Sequence, residues 1–337
     1  SAGYHRQTGT DTETLVNLHE VAKPASVYDM LRGMFAYVLY DNLRNTLTIG
    51  RDMIGEKVMY LYEDDRTVII ASEAGPILEV QPTVKLDRDV LRGYFSTRHL
   101  LTPQKTVFQN IRMVPPGPLL ELALSASVIT TVQVRKPADL IDPERIERNK
   151  RRSIDDLADE LDAAFQTTAR AIAPKSVEYT SVMSGGIDSS LSSLYMNQAR
   201  RPSRFVALQF SGRDKISEAL EPFEDRIGSP ITRVNVDAKL FSSYMDEVYK
   251  AVCSPLPTHS FVSQAIVSRQ VRHMGSKVWI GGHAGDELFG GYEYYKQLGH
   301  TPEFPETNPS VYSGYAGLGF RFNGWDDTAV REDADAR

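Results

Sequence analysis

The period of apolar and polar positions changes partway along the chain. In the first third the apolar runs are short, alternate with polar residues and break at turns. "MFAYVLYDNLRNTLTIGRD" gives two such runs around a polar turn containing Asn42, Arg44 and Asn45, and "KVMYLYEDDRTVIIASE" repeats the form around Glu63-Asp64-Asp65-Arg66. "IRMVPPGPLLELALSASVITTVQV" is again turn plus strands. Short runs of this kind, separated by turn residues, predict antiparallel strands. Ahead of them, "TGTDTETLVNLHE" reads as a helix start, with Thr10 and Glu13 spaced as a capping box before Leu15 and Leu18. Residues 1–135 are therefore expected to form an α+β domain on a layered antiparallel sheet.

Composition shifts over "RKPADLIDPERIERNKRR", and residues 136–152 are expected to be a linker. The basic run Lys150-Arg151-Arg152 reads as the solvated start of a helix. From Ser153 onward, Ile154, Leu157, Ala158, Leu161, Phe165 and Ala169 keep helical spacing. Strand-like and helix-like runs then alternate: "VEYTSVM", "SSLSSLYMNQ", "FVALQF", "SEALEPFEDRI", "ITRVNV", "LFSSYMDEVYKAV", "VSQAIVSRQVRHM" and "KVWIGG". Alternation of this kind predicts βαβ units, hence a doubly wound α/β domain with a parallel sheet over residues 153–300. Residues 301–337, rich in Gly, Pro and aromatics, are left unassigned.

Charge and composition narrow the classes of function. The 337 residues carry a net charge of −6, which argues against a general nucleic-acid binder. Cys253 is the only cysteine, so no intrachain disulfide and no cysteine-clustered zinc site can form, which suits a reducing, cytoplasmic setting. No apolar run approaches the ~18 residues of a membrane span, and no signal-peptide pattern opens the chain. The opening "SAGYHRQTGTDTE" enters a structured pattern at once and carries no initiator Met, so the start is expected to be missing.

Two stretches carry the candidate chemistry. In "EYTSVMSGGIDSSLSSLYMNQ" a strand runs into Ser184-Gly185-Gly186, then Asp188-Ser189-Ser190, then a helix. A loop at the carboxyl end of a parallel strand, leading into a helix, offers free N–H groups and a favourable dipole to anions. The glycines admit a phosphate to the backbone and the serines add hydroxyl donors. Asp188 would repel a bare phosphate, but fits one that shares a Mg²⁺ ion. The lysine of the kinase-type phosphate loop is absent. In "KVWIGGHAGDELFGGYEYY" a second short strand runs into Gly281-Gly282 and the acidic pair Asp286-Glu287. If the two loops converge, Asp188 and Asp286 form a carboxylate pair for Mg²⁺ on a pyrophosphate-bearing nucleotide. A serine-capped turn and a glycine-rich connection with solvated acids are the bland alternatives, and two such loops together weigh against both. His19 and His99 have no metal spacing around them and read as surface or packing residues. Tyr292, Tyr294 and Tyr295 read as core or lid.

These motifs resemble the glutamine-hydrolysing asparagine synthetase family. Ser184-Gly185-Gly186-Ile187-Asp188-Ser189-Ser190 is similar to its pyrophosphate loop, and "GGHAGDELFGGY" to its second ATP-site motif. "TGTDTETL", "GMFAYVLYD", "IGRDMIGEKVMYLY", "IIASEAGPIL", "LDRDVLRGYF" and "VFQNIRMVPPGPLLEL" follow in family order, so the resemblance spans most of residues 5–295. It implies a partial Ntn glutaminase-like domain, then an ATP-pyrophosphatase-like domain. ATP would adenylate a substrate carboxylate with release of pyrophosphate, and an amine, supplied by glutamine or another donor, would displace AMP. It further implies that Ser184, Gly185, Gly186, Asp188, Ser189 and Ser190 hold ATP phosphates and Mg²⁺. Leu208, Gly281 and Gly282 would line the nucleotide, Asp286 would be the second metal carboxylate, and Asp11 would hold the glutamine amino group. His283 and Glu287 complete the set as catalytic residues. The implied partners are ATP, glutamine or another amine donor and a carboxylate substrate, with a homodimer open.

Three features depart from the family pattern. The N-terminal cysteine nucleophile of the glutaminase is not in this sequence. His283 stands where asparagine synthetases have glutamate and β-lactam synthetases tyrosine. The family's late lysine has no match in "REDADAR". Two alternatives accompany the leading expectation: an intramolecular amide former (a β-lactam or lasso-peptide macrolactam synthetase) with an inactive glutaminase, and a non-catalytic ATP-binding homologue. His283 is expected either to take a proton from the attacking amine or to hydrogen-bond the second substrate.

Overall fold

A computed structural model describes residues 8, 10–97, 100, 104–125, 128–211, 215–255, 258 and 260–291. Within these residues the chain divides into two compact units between Pro143 and Glu144. The chemistry is mixed α/β, with antiparallel sheets in the first unit and a parallel sheet in the second. No helix among the described residues is long and apolar enough to cross a membrane.

The first unit opens with helix α1 (Asp11–Val21), whose N-cap Thr10 accepts a hydrogen bond from the Glu13 N–H at 3.3 Å. The Glu13 carboxylate does not return to Thr10. It accepts from the N–H of Thr8 at 2.7 Å and from its hydroxyl at 2.6 Å, so the box closes two residues further out. After α2 (Pro24–Met30), the hairpin β1 (Ala36–Asp41) and β2 (Thr46–Arg51) pairs Asp41 with Thr46. Its turn is set locally: Asp41 Oδ1 accepts the N–H groups of Leu43 at 2.9 Å and Arg44 at 3.0 Å, and Asn45 takes a left-handed φ of 53°. Asp64 closes the next hairpin, β3 (Tyr60–Glu63) and β4 (Val68–Ala71), in the same way through Arg66 and Thr67. Strands β5 (Ile111–Met113), β6 (Pro118–Ala123) and β7 (Val128–Val134) complete two antiparallel sheets, ordered β1-β2-β6-β7 and β4-β3-β5.

The alternation read from the sequence puts Ile49 and Leu120 of one sheet against Leu61 of the other and the flanking Met59 and Val114, forming a shared core. Helix α3 (Ala74–Val80) covers the opposite face of the smaller sheet with Ile77, against Tyr62 and Ile111. Helices α2, α3 and α4 (Arg88–Thr97) were not predicted; the first two are seven residues each, too short to set a period.

The expected linker contains a 3-10 turn (Pro137–Leu140) and helix α5 (Pro143–Asn149). Lys150 pairs with Glu147 at 2.6 Å and Arg152 with Glu160, so two cations of the basic run are engaged by nearby acids. In the second unit, α6 (Ile154–Ile172) starts at Ser153, whose hydroxyl accepts the Asp156 N–H at 3.0 Å. The order is then β8 (Tyr179–Met183), α7 (Ile187–Ala199), β9 (Arg204–Phe210), α8 (Lys215–Ile227), β10 (Ile231–Val236), α9 (Ala238–Val252), α10 (Ser260–His273), β11 (Val278–Ile280) and α11 (Gly285–Phe289).

All four strands are parallel, in the order β10-β9-β8-β11. Tyr179, Met183, Phe205, Ala207 and Ile231 pack toward α6, α7 and α8, while Leu208, Phe210 and Val236 pack toward α9 and α10. Helices therefore cover both faces. Serines let α7 lie close on β8, and Ser181 and Ser193 satisfy each other across that contact at 2.8 Å. The chain builds outward from β8 to β10 and then returns to place β11 on the other side of β8. That reversal leaves a crevice beyond the carboxyl ends of β8 and β11, where ligands of doubly wound sheets bind.

Candidate functional site

The loop after β8 is held by its own serines. The Ser184 N–H donates to Ser189 Oγ at 3.0 Å, the two hydroxyls lie 3.0 Å apart, and Ser189 Oγ donates to the Gly186 carbonyl at 3.2 Å. Gly185 has φ 81°, a left-handed turn that brings the chain into α7 with Gly186 as N-cap. The first amides of α7 have no carbonyl one turn behind them within the helix, so they and the helix dipole face the crevice as an anion site. Ser190 is 1% exposed and its hydroxyl has no hydrogen-bond partner, whereas Ser184 is exposed at the loop surface.

The loop after β11 lies against the first one. A β-carbon on Gly282 would fall 2.3 Å from the Ser189 nitrogen and 2.4 Å from the Asp188 carbonyl carbon; one on Gly285 would fall 2.4 Å from Asp188 Cγ. Only glycine at both positions permits this approach. Ser192 Oγ adds a hydrogen bond to the Gly281 carbonyl at 3.2 Å. Helix α11 is tied back by Phe289, whose ring lies 6.5 Å from Phe165; Phe165 stacks on Tyr195 at 5.2 Å, and the Tyr195 hydroxyl donates to Asp162 at 2.6 Å.

Convergence brings Asp286 within the electrostatic reach of Asp188 and of its neighbour Glu287. Burial first, and then the charges of Asp188 and Glu287, raise the Asp286 carboxyl above its ordinary range. Neither Asp188 nor Asp286 has a Lys or Arg at ion-pair distance among the described residues. Two hard oxygen donors held together against their repulsion fit a divalent cation. Among the described residues no group of three or more His, Cys, Asp or Glu converges as metal ligands, so such an ion would share its remaining positions with water and ligand oxygens.

His283 stands on the α10 side of the crevice. Its ring lies 5.5 Å from that of Trp279, and its Nε2 is 3.5 Å from the side-chain amide nitrogen of Gln264. Trp279 Nε1 donates to Ser268 Oγ at 3.0 Å. Leu208 lies in the second half of β9, in the apolar cluster with Val236, Val248 and Ile266. Asp11 belongs to the first unit, exposed in the first turn of α1, where its Oδ1 accepts the Thr12 N–H at 2.9 Å. It lines an open concavity of about 1400 Å³ together with His19, Tyr37, Lys57 and Glu73. His19 packs edge-on to Tyr37 at 5.7 Å, and burial lowers its pKa. His99, Tyr292, Tyr294, Tyr295 and the 301–337 stretch lie outside the described residues.

Sequence reasoning did not single out Gly285, Ser192, Gln264 or Trp279. Gly285 sits inside the second motif, but its role depends on Asp188 arriving from another loop. Trp279 lies in the strand of the quoted second stretch but was given no role there, and Gln264 carries no motif at all.

A parallel-sheet crevice with a serine-glycine loop at a helix N-terminus and two nearby carboxylates is the setting in which doubly wound α/β domains bind ligands. Residues 157–330 match the asparagine synthase family, and residues 1–132 match the glutamine amidotransferase domain family. The chain belongs to the asparagine synthase family, which covers more than half of it. It is 24% identical over 300 residues to asparagine synthetase [glutamine-hydrolyzing] 1 of Bacillus subtilis, covering 88% of this chain and 45% of that protein. Asparagine synthetase [glutamine-hydrolyzing] 3 of the same organism is 22% identical, covering 90% and 50%. Asparagine synthetase B of Escherichia coli is 24% identical, covering 90% and 51%. The chain thus spans about half the length of these relatives. A solved glutamine-dependent NAD+ synthetase from Acinetobacter baumannii aligns with TM-score 0.30 and 12% identity over 86% of this chain and 68% of its own, too distant to bear on the fold.

Proposed function

We propose that this chain is part of an ATP-dependent carbon–nitrogen ligase that adenylates a carboxylate and converts it to an amide with nitrogen from glutamine. The observation that carries the reading is the convergence of the two loops in the second unit, which sets Asp188 beside Asp286 at the N-terminus of α7. The names of the relatives favour aspartate as the carboxylate and glutamine as the nitrogen source.

In this reading the amides of the Ser184–Asp188 loop and the hydroxyls of Ser184, Ser189 and Ser190 bind the triphosphate, with Gly281, Gly282 and Leu208 toward the nucleoside. Asp188 and Asp286 would hold Mg²⁺, which screens the phosphate charge. A substrate carboxylate oxygen attacks the α-phosphorus and the bond to pyrophosphate breaks. An amine then bonds to the acyl carbon and AMP leaves. Glu287 adds charge beside the cation, and His283 serves the second half-reaction. Asp11 would bind the amino group of glutamine at the rim of its concavity in the first unit.

Aspartate-dependent exchange of pyrophosphate into ATP tests the reading directly. Asp188→Asn and Asp286→Asn should each abolish exchange with the fold intact, and undiminished exchange in either variant would overturn the two-carboxylate site. His283→Ala should leave exchange in place while slowing amide formation by about 10²–10⁴-fold, as for a group that acts in one step only. Asp11→Ala should lower glutamine-dependent synthesis but spare synthesis from free ammonia.

A further inference from the structure

We propose that Gly291 is a positioning residue of the candidate cation site. Lacking a side chain, it lets the chain fold back onto α11 and holds the Asp286 carboxylate to the narrow placement that Mg²⁺ requires, so that the site tells Mg²⁺ from Ca²⁺. The inference deepens the two-carboxylate reading of this site and rests on it.

The two glycines that follow α11 are there for different reasons. Gly290 takes a left-handed φ of 69°, and a β-carbon on it would meet nothing within 4 Å. That glycine answers the backbone, which adopts a conformation side chains disfavour. Gly291 is not among the left-handed glycines, so its backbone makes no such demand. A β-carbon there would instead fall 2.0 Å from Asp286 Oδ1, 3.0 Å from its Cγ and 3.3 Å from its Cα. Space, taken up by one carboxylate, is what requires glycine at this position.

Asp286 is gripped at both ends by this return of the chain. Its carbonyl accepts the N–H groups of Gly290 and, at 3.0 Å, of Gly291, while its carboxylate rests against Gly291. Among the described residues no hydrogen bond reaches that carboxylate, so steric contact sets its direction. Gly285 bears on the Asp188 carboxylate in the same manner, where a β-carbon would fall 2.5 Å from Oδ2. Acids held this way keep their lone pairs for an ion and yet cannot swing freely. Mg²⁺ needs near-octahedral oxygens at about 2.0–2.1 Å, whereas Ca²⁺ accepts about 2.3–2.6 Å in flexible arrangements. Displacing Asp286 should therefore cost Mg²⁺ more than Ca²⁺.

An unfolding cycle reads the contact without any ion. Gly291→Ala should lower the thermal midpoint of the full chain, and should cost nothing once Asp286→Ala has removed the carboxylate. Gly290→Ala is the control: its backbone strain should lower the midpoint equally in both backgrounds. A loss from Gly291→Ala that is the same with and without Asp286→Ala overturns the proposal.

The choice of cation has its own readout, with no substrate present. Mn²⁺ is added alone to the full chain and the free ion is counted by electron paramagnetic resonance, with Asp188→Asn marking the share bound at this site. Mg²⁺ and Ca²⁺ then compete for it. In Gly291→Ala the Mg²⁺ affinity should fall by about 10–100-fold, as when the support of a metal ligand is removed, and the Ca²⁺ affinity by clearly less. A general loosening of the fold would weaken both ions alike. Unchanged Mg²⁺ affinity, or equal losses for the two ions, overturns the proposal. A wild-type chain that takes up no Mn²⁺ through Asp188 would refute the two-carboxylate reading instead, and the unfolding cycle would still decide what Gly291 makes room for.

Discussion

The two units treat carboxylates in opposite ways. In the first, Asp52 is 3% exposed and accepts four backbone N–H groups: Gly55 at 2.6 Å, Glu56 at 2.9 Å, Lys57 at 3.1 Å and Phe35 at 3.3 Å. Its neighbour Arg51, equally buried, donates to the carbonyls of Lys57, Gly55 and Val114. This charge is consumed by the chain itself and pins the 52–57 loop between the sheets. In the second unit Asp188 and Asp286 face like charge, with no cationic side chain at ion-pair distance among the described residues. A carboxylate with every lone pair used stabilises the fold. A pair set against each other carries a cost that protonation or an added cation relieves. The contrast between the two arrangements is visible without reference to any motif.

The largest effect should come from breaking the first arrangement. Asp52→Ala leaves four part-buried backbone N–H groups without their acceptor, and should destabilise the first unit by about 2–3 kcal/mol in denaturant unfolding. Asp188→Asn should not lower stability and, by removing repulsion, should raise that of the second unit without cation. Equal losses in the two variants would erase the distinction.

Glycine substitutions test how tightly the loops are joined. Gly282→Ala meets backbone at Ser189 and should cost roughly 1–3 kcal/mol as the loops are forced apart. Gly285→Ala meets no backbone but clashes with the Asp188 side chain, at Cγ 2.4 Å and Cβ 2.9 Å, so Asp188 should be displaced and Mg²⁺-dependent ATP binding, followed by calorimetry, should fall by about tenfold or more, some 1.4 kcal/mol.

Acidity gives a smaller, signed effect. The Asp286 carboxyl is raised in the folded chain by burial, Asp188 and Glu287, and returns to an ordinary value of about 3.9 on unfolding. Its contribution to stability is therefore present in full below that ordinary value and is lost as pH rises through the raised one. Without added cation, the unfolding free energy of wild type relative to Asp286→Asn should decline with rising pH, and a flat or rising difference would remove Asp286 from the coupled pair. The smallest effect concerns Ala284, which takes φ 69° just before α11. Ala284→Gly relieves a left-handed β-carbon and should stabilise by about 0.5–1 kcal/mol in thermal unfolding.

Much of this was legible in the sequence because its causes are local. Asp41 and Asp64 close their hairpins through amides two and three residues away, and both turns are readable from the residues themselves. The alternating strands and the strand–helix succession after residue 153 declare their periods. Helices α2 and α3 did not, since each buries only two residues: Val27 with Tyr28, and Ala74 with Ile77. In the site, glycine and serine advertised the two loops. Gln264 did not stand out because a glutamine inside an amphipathic helix has no signature until β11 brings His283 to it.

By itself the sequence determined the periodic strands and the longer helices of the second unit, and which two loops carry hydroxyls and carboxylates, because backbone preference and side-chain period act over a few residues. Tertiary structure alone decided that β11 pairs with β8 rather than extending the sheet beyond β10. Strand adjacency across that separation is set by helix packing on both faces and by the crossover, and no local preference encodes it. From that single adjacency follow the contact of Gly282 with Ser189, the approach of Asp286 to Asp188, and the setting of His283 against Gln264.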